Sequence, residues 1–157
     1  MDLKDIGKLI IFIAICQMAG IVGSVFTFGA IPGWYATLVK PEISPPNWVF
    51  GPVWTSLYTL MGIAAYLAYQ KSGELAHPAI IAFGGQLVLN TLWSIVFFGL
   101  QSPGLAFAVI LTLLLAIVLT INLFWGLSKR AAALMVPYLL WVAFASLLNY
   151  RIWVLNP

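Results

Sequence analysis

The sequence predicts an all-α integral membrane protein, a bundle of five transmembrane helices forming one domain over residues 1–157. Three observations carry that reading. Hydrophobic residues make up 63% of the chain and charged residues only 7%, and the resulting mean hydropathy of +1.06 lies far outside the soluble globular range. A crossing needs about 20 apolar residues, so the chain is long enough for roughly five with short connections. Segments of such length and continuity mean helices, not the weakly alternating strands of a barrel.

The first helix is predicted over residues 6–28, from Ile6 to Phe28. Its small residues Cys16, Gly20 and Ser24 recur at i, i+4, a spacing that lets membrane helices approach closely. Residues 29–46 then form a connection unusually long for a compact bundle, and such loops tend to be lids or binding loops. Within it, Trp34 and Tyr35 either anchor at the headgroup level or fold over the bundle mouth.

The second helix is predicted over residues 47–69. Pro45 and Pro46 cannot lie mid-helix but suit a first turn, so the helix starts at Asn47, and Pro52 is early enough to be tolerated with a modest kink. The chain is organised around the stretch from Trp34 to Tyr58, WYATLVKPEISPPNWVFGPVWTSLY, which packs prolines and tryptophans into an otherwise uniformly apolar sequence. The 3.6-residue period puts Asn47, Phe50 or Gly51, Trp54 and Tyr58 on one stripe. Aromatic with polar tips, it suits a planar ligand.

After the polar loop QKSGELAH, the third helix is predicted over residues 78–100, with Gln86, Asn90, Trp93 and Phe97 on one face. A buried amide in lipid needs partners, so Gln86 and Asn90 should point into the bundle, as interhelical glue or as ligand contacts. The fourth helix is predicted over residues 104–127. Its Gly104, Ala108, Thr112, Ala116 and Thr120 repeat at i+4, a seam suited to packing against another helix or subunit. The fifth is predicted over residues 131–155 and carries Tyr138, Trp141, Ala145 and Asn149 on one stripe, where the small Ala145 leaves room for a guest between rings.

Several function classes are excluded. Net charge is +3, but the seven basic residues are scattered at segment ends without a cluster, so nucleic acid is not an expected partner. The single cysteine, Cys16, and single histidine, His77, leave no metal site. The N-terminal apolar run is too long for a signal peptide and lacks a small-x-small cleavage site. No Asp, Glu, Lys, Arg or His falls within a predicted span, which argues against an ion-coupled transporter, as does a helix count that does not divide into inverted repeats. No nucleophile and base can be paired for hydrolysis, so no catalytic residue is assigned.

Orientation follows from basic residues flanking the spans. Lys4, Lys8, Lys71, Lys129 and Arg130 fall on one side and Lys40 and Arg151 on the other. That distribution predicts a cytoplasmic N-terminus, with the long loop on the opposite face. No targeting extension precedes the first span, so a prokaryotic cell membrane is expected.

Taken together, Trp34-Tyr35, Lys40-Pro41, Pro45-Pro46, Trp48, Phe50, Trp54, Leu57-Tyr58, then Gln86-Leu87, Asn90, Trp93-Ser94, Phe97-Phe98, then Pro137-Tyr138-Leu139, Trp141, Phe144-Ala145 and Leu148-Asn149 resemble the TspO/MBR family. These are the tryptophan-rich sensory proteins related to the mitochondrial translocator protein. The resemblance implies a five-helix bundle, commonly a homodimer, with a pocket closed by the loop between the first two helices. It further implies porphyrin, such as protoporphyrin IX, as ligand and no bound cofactor. Trp54 and Trp141 match the aromatic pair facing the ligand, and Asn90 matches a polar contact. Trp34, Trp48, Tyr58, Gln86, Trp93, Phe97, Tyr138, Ala145 and Asn149 match positions around the pocket.

The family's sterol motif needs a spacer between Leu-x-Tyr and a basic residue. Here Leu148-Asn149-Tyr150 is followed at once by Arg151, and the strict match at Leu67 to Lys71 lies on the wrong helix, so cholesterol binding is not predicted. The leading expectation is a sensor or carrier of tetrapyrroles in a lipid bilayer. Two alternatives stand beside it: a light- and oxygen-dependent porphyrin-degrading enzyme using Trp54 and Trp141, and a structural partner acting through the fourth helix.

Overall fold

The computed structural model describes residues 2–157. Within it the chain folds as six α-helices and one π-helical segment: α1 (Leu3–Ala30), α2 (Trp34–Thr37), α3 (Asn47–Ser72), α4 (Pro78–Ser94) continued by π-helical turns at Ile95–Gly99, α5 (Pro103–Leu127) and α6 (Lys129–Leu155). Four segments, Leu3–Ala30, Pro78–Gly99, Pro103–Leu127 and Lys129–Leu155, are long and apolar enough to cross a membrane. Helix α3 is long enough, but its Trp, Tyr, Ser and Thr side chains leave it less apolar than those four.

Local chemistry explains the boundaries. Asp2 starts α1 earlier than the expected residue 6, its carboxylate accepting from the Asp5 N–H at 2.8 Å, as a capping acid does. Gly73 ends α3 at φ 76°, the left-handed turn that glycine adopts without steric penalty. His77, expected simply as a loop residue, caps α4 by accepting from the Ala79 N–H at 3.2 Å. Ser128 caps α6 through its hydroxyl, which moves the start from residue 131 to Lys129. The long connection is not wholly irregular, because Trp34–Thr37 makes one helical turn.

The helices alternate in direction. Phe12 of α1 lies against Tyr69 of α3, and Phe83 of α4 stacks on Phe124 of α5 at 5.8 Å, so the start of α1, the end of α3, the start of α4 and the end of α5 share one end of the bundle. At the other end, Asn149 of α6 donates to the Pro103 carbonyl at 2.7 Å. The connection between α1 and α3 lies there too. Toward the end away from that connection lies a core of Ala64, Ala65, Ala68, Ala79, Ala131 and Ala132 with Met61 and Met135. Small side chains let backbones approach where lipid supplies no hydrophobic drive.

The expected small-residue seam on α5 does not form one face. Gly104 lies under the Trp153 indole and Thr120 is buried, whereas Ala108 and Thr112 are exposed. A step of four residues overshoots a 3.6-residue turn by about 40°, so five such positions rotate through about 160°. The seam therefore winds from one neighbour to open surface.

Candidate functional site

A cavity of about 530 Å³ opens at the loop end of the bundle. It exists because α1 and α3 part there. In the opposite half they touch closely: a Cβ on Gly62 would lie 2.5 Å from the Ile13 Cα. Toward the loop, Gln17 bridges the pair, its amide donating to the Thr55 carbonyl and the Thr59 hydroxyl, both at 3.0 Å. Just beyond that bridge the Tyr58 ring of α3 still reaches Gly20, but further along α1 leans on α4, with Gly23 against the Ser94 side chain and Phe26 against Gly99. The gap left between α1 and α3 is the cavity.

Its walls differ in chemistry. The α3, α4 and α6 sides present Trp48, Phe50, Trp54, Trp93, Phe97, Phe98 and Trp141, while α1 presents Gly20, Gly23, Ser24 and Thr27 beside Gln17. The rings brace one another. Trp54 stacks on Tyr58 at 5.4 Å and meets Tyr138 edge-on at 6.3 Å, and Phe50 meets Trp141 edge-on at 6.0 Å. Such arrangements favour fixed ring positions over free rotation. Ala145 lines the gap between them, leaving open the space a larger side chain would fill.

Eight of the twelve residues singled out from the sequence line this cavity: Trp48, Trp54, Tyr58, Trp93, Phe97, Trp141, Ala145 and Asn149. The other four stand behind it. Asn90 is shielded by Tyr58, whose hydroxyl donates to Asn90 Oδ1 at 2.5 Å, while Asn90 Nδ2 donates to the Tyr138 hydroxyl at 3.1 Å. Asn90 and Tyr138 thus form a buried brace under the cavity floor, and neither lines it. Gln86, one turn further down α4, is fully buried with neither amide atom hydrogen-bonded. Trp34 packs edge-on against the Phe97 ring at 5.7 Å and is not among the lining residues. Trp93 and Asn149 form a second brace, the indole N–H donating to Asn149 Oδ1 at 2.9 Å.

Sequence reasoning missed two parts of the site. Phe98 lies about 100° round an α-helix from Phe97 and the face it shares with Gln86, Asn90 and Trp93, but Ile95–Gly99 winds as a π-helix and both rings line the cavity. π-Turns inside helices recur at functional sites. The α1 wall was read as packing only, although Gln17, an amide in a predicted span, was its available signal. Of the two places expected for Tyr35, the headgroup level or the bundle mouth, it takes the second, buried against Phe97 and Phe98 while lining the cavity, and burial pushes its hydroxyl above the usual 10.

The loop is fastened as well as plugged. Asn156 Oδ1 accepts from the Val39 N–H at 2.9 Å, and its Nδ2 donates to the Val39 carbonyl at 3.0 Å and the Ile152 carbonyl at 2.8 Å. The side-chain amide thereby pairs with the loop backbone as a neighbouring strand would. No Asp, Glu, Lys, Arg or His is among the lining residues, and no group of His, Cys, Asp and Glu able to hold a metal occurs among the described residues.

Known proteins are similar to this chain over most of its length. The TspO/MBR family model matches residues 12–154. The chain is 44% identical over 152 residues to the tryptophan-rich protein TspO of Archaeoglobus fulgidus, covering 97% of this chain and 99% of that protein. It is 42% identical over 135 residues to the translocator protein of Homo sapiens, covering 84% and 80% of the two. It is 38% identical over 155 residues to the tryptophan-rich sensory protein of Cereibacter sphaeroides, covering 97% and 93%. Matched over almost its full length to relatives of such identity, the chain belongs to the TspO/MBR family.

Proposed function

We propose that this protein is a membrane receptor or carrier that binds porphyrins, of which protoporphyrin IX is the type, and other large planar apolar ligands in the cavity at its loop end. The observation that supports this most is the cavity's pairing of size and lining. About 530 Å³ bounded by eight Trp and Phe rings and no charged side chain suits a large aromatic guest and disfavours a hydrated one. On this reading Trp54 and Trp141 hold the macrocycle face, and Asn90 acts indirectly by fixing Tyr58. All five long helices cross the bilayer, α3 with its aromatic stripe turned from lipid toward the cavity, and the N-terminus is cytoplasmic. Relatives named for sensing and translocation fit a ligand-responsive role.

Tryptophan fluorescence of the detergent-solubilised protein, titrated with protoporphyrin IX, tests the reading. Saturable quenching, with absorbance as a second readout, should weaken in Trp54→Phe and Trp141→Phe. Linear quenching indifferent to both changes would mean that the porphyrin partitions into the micelle.

The Trp54–Tyr58 stack favours one second reading, light- and oxygen-dependent degradation of the bound porphyrin. Illuminated turnover lost in Trp54→Phe with binding retained would support it. Equal turnover in the dark would exclude it.

A further inference from the structure

Resting on the reading of the cavity as a site for planar aromatic ligands, the chemistry of its α1 wall bears on which way an acidic ligand points. Within the α1 wall the polar groups have already used their protons. Ser24 donates to the Ile21 carbonyl at 2.7 Å, Thr27 to the Gly23 carbonyl at 3.1 Å, and both Gln17 amide hydrogens go to α3. What they still offer is acceptor lone pairs. A carboxylate placed there meets oxygen against oxygen, with no cation anywhere in the lining, and burying an unpaired charge carries a large penalty.

The mouth is different. Lys40 lies in the loop, half-buried, with its Nζ 4.8 Å from the centroid of the Tyr35 ring. That ring itself lines the cavity. The ammonium makes one long hydrogen bond, to the Leu38 carbonyl at 3.4 Å, which leaves donors free because an ammonium carries three. Contact with the ring holds it beside that lining residue by cation–π attraction.

We propose that Lys40 is the anion-selecting residue of the site. A planar ligand enters with its uncharged edge toward the floor formed over Asn90, and its acidic groups stay at the loop end, where the Lys40 ammonium meets them. Tyr35 is the positioning residue, presenting that ammonium to the mouth.

The test pairs two probes with two substitutions. Protoporphyrin IX carries two carboxylates, and its dimethyl ester has the same ring without them. Each is titrated into the full chain in detergent, as wild type, Lys40→Met and Lys40→Arg. Lys40→Met should weaken the diacid about fivefold, the size of a partly desolvated ion pair, while changing the ester less than twofold. Lys40→Arg should restore diacid binding. Added salt should weaken the diacid in wild type and lose its effect in Lys40→Met.

Equal losses for diacid and ester, as expected if Lys40 acts on the loop fold or on lipid phosphates, would overturn the proposal. So would a diacid indifferent to Lys40→Met. Trp54→Ala separates the two levels of failure. If it weakens both probes and Lys40→Met discriminates between neither, the cavity reading stands and the anion selection falls. If neither probe responds to Trp54→Ala, both fall.

Discussion

The two ends of the bundle use the same helices for opposite purposes. At the end away from the loop, α3, α4 and α6 contribute Ala64, Ala65, Ala68, Ala79, Ala131 and Ala132, all buried, and Phe83 and Phe124 fill the remaining space as a stacked pair. At the loop end the same helices contribute Trp54, Trp93 and Trp141, which brace one another or their neighbours and leave a cavity of about 530 Å³. Small residues allow backbones to close up. Large rings locked edge to face cannot, and the space they hold open is the site.

That comparison can be broken most severely at Gly62. A side chain there would strike the Ile13 backbone, not a pliable side-chain tip, so Gly62→Leu must force α1 and α3 apart in the half where they touch. A loss of about 3 kcal/mol is expected, read as a large fall in thermal midpoint in detergent. An unchanged midpoint would show that the closed end is not closed.

The buried brace comes next. Asn90→Ala leaves the Tyr58 and Tyr138 hydroxyls without their shared partner, and about 2 kcal/mol of stability should go with it. Ligand affinity should fall as well, because Tyr58 loses its fixed position. Chemical denaturation and a porphyrin titration on the same variant measure the two effects. Affinity lost at full stability would instead make Asn90 a direct contact.

Smaller still is the effect expected at the loop. Asn156→Ala removes three hydrogen bonds, two of them to Val39, in a partly exposed setting where each contributes little, so global stability should fall by about 1 kcal/mol at most. Its signature is local: faster amide hydrogen exchange at Val39 with α6 unaffected. Gly51→Ala marks the lower limit. Nothing lies within 4 Å of the added methyl, and a helical alanine should be neutral or slightly stabilising.

Much of this division was legible in the sequence, and the failures have physical causes. The Pro45-Pro46 pair located the start of α3 at Asn47, because proline chemistry is local. The aromatic stripe of Trp54 and Tyr58 was readable for the same reason: a regular helix converts spacing into a face. Asn90 and Gln86 were found as inward-pointing, but spacing gives direction and not depth, so their place behind Tyr58 was invisible. Phe98 was hidden because the π-helical turns break the periodicity on which the reading relied. The α5 repeat drifts in phase, since each i+4 step overshoots a helical turn, so within the chain only part of it meets a neighbouring helix. Asn156 was beyond reach, its role set by a contact 117 residues away in sequence.

The most direct test of the central claim is a paired measurement of porphyrin affinity and thermal midpoint on Trp54→Ala and Phe124→Ala, one ring from each end. Trp54→Ala should lower affinity about tenfold, a loss of roughly 1.4 kcal/mol, with the midpoint near wild type. Phe124→Ala should do the reverse, costing about 3 kcal/mol of stability through the void it opens and leaving affinity unchanged. If Phe124→Ala lowers affinity as much as Trp54→Ala, the ligand does not distinguish the two ends, and the assignment of binding to the loop end is wrong.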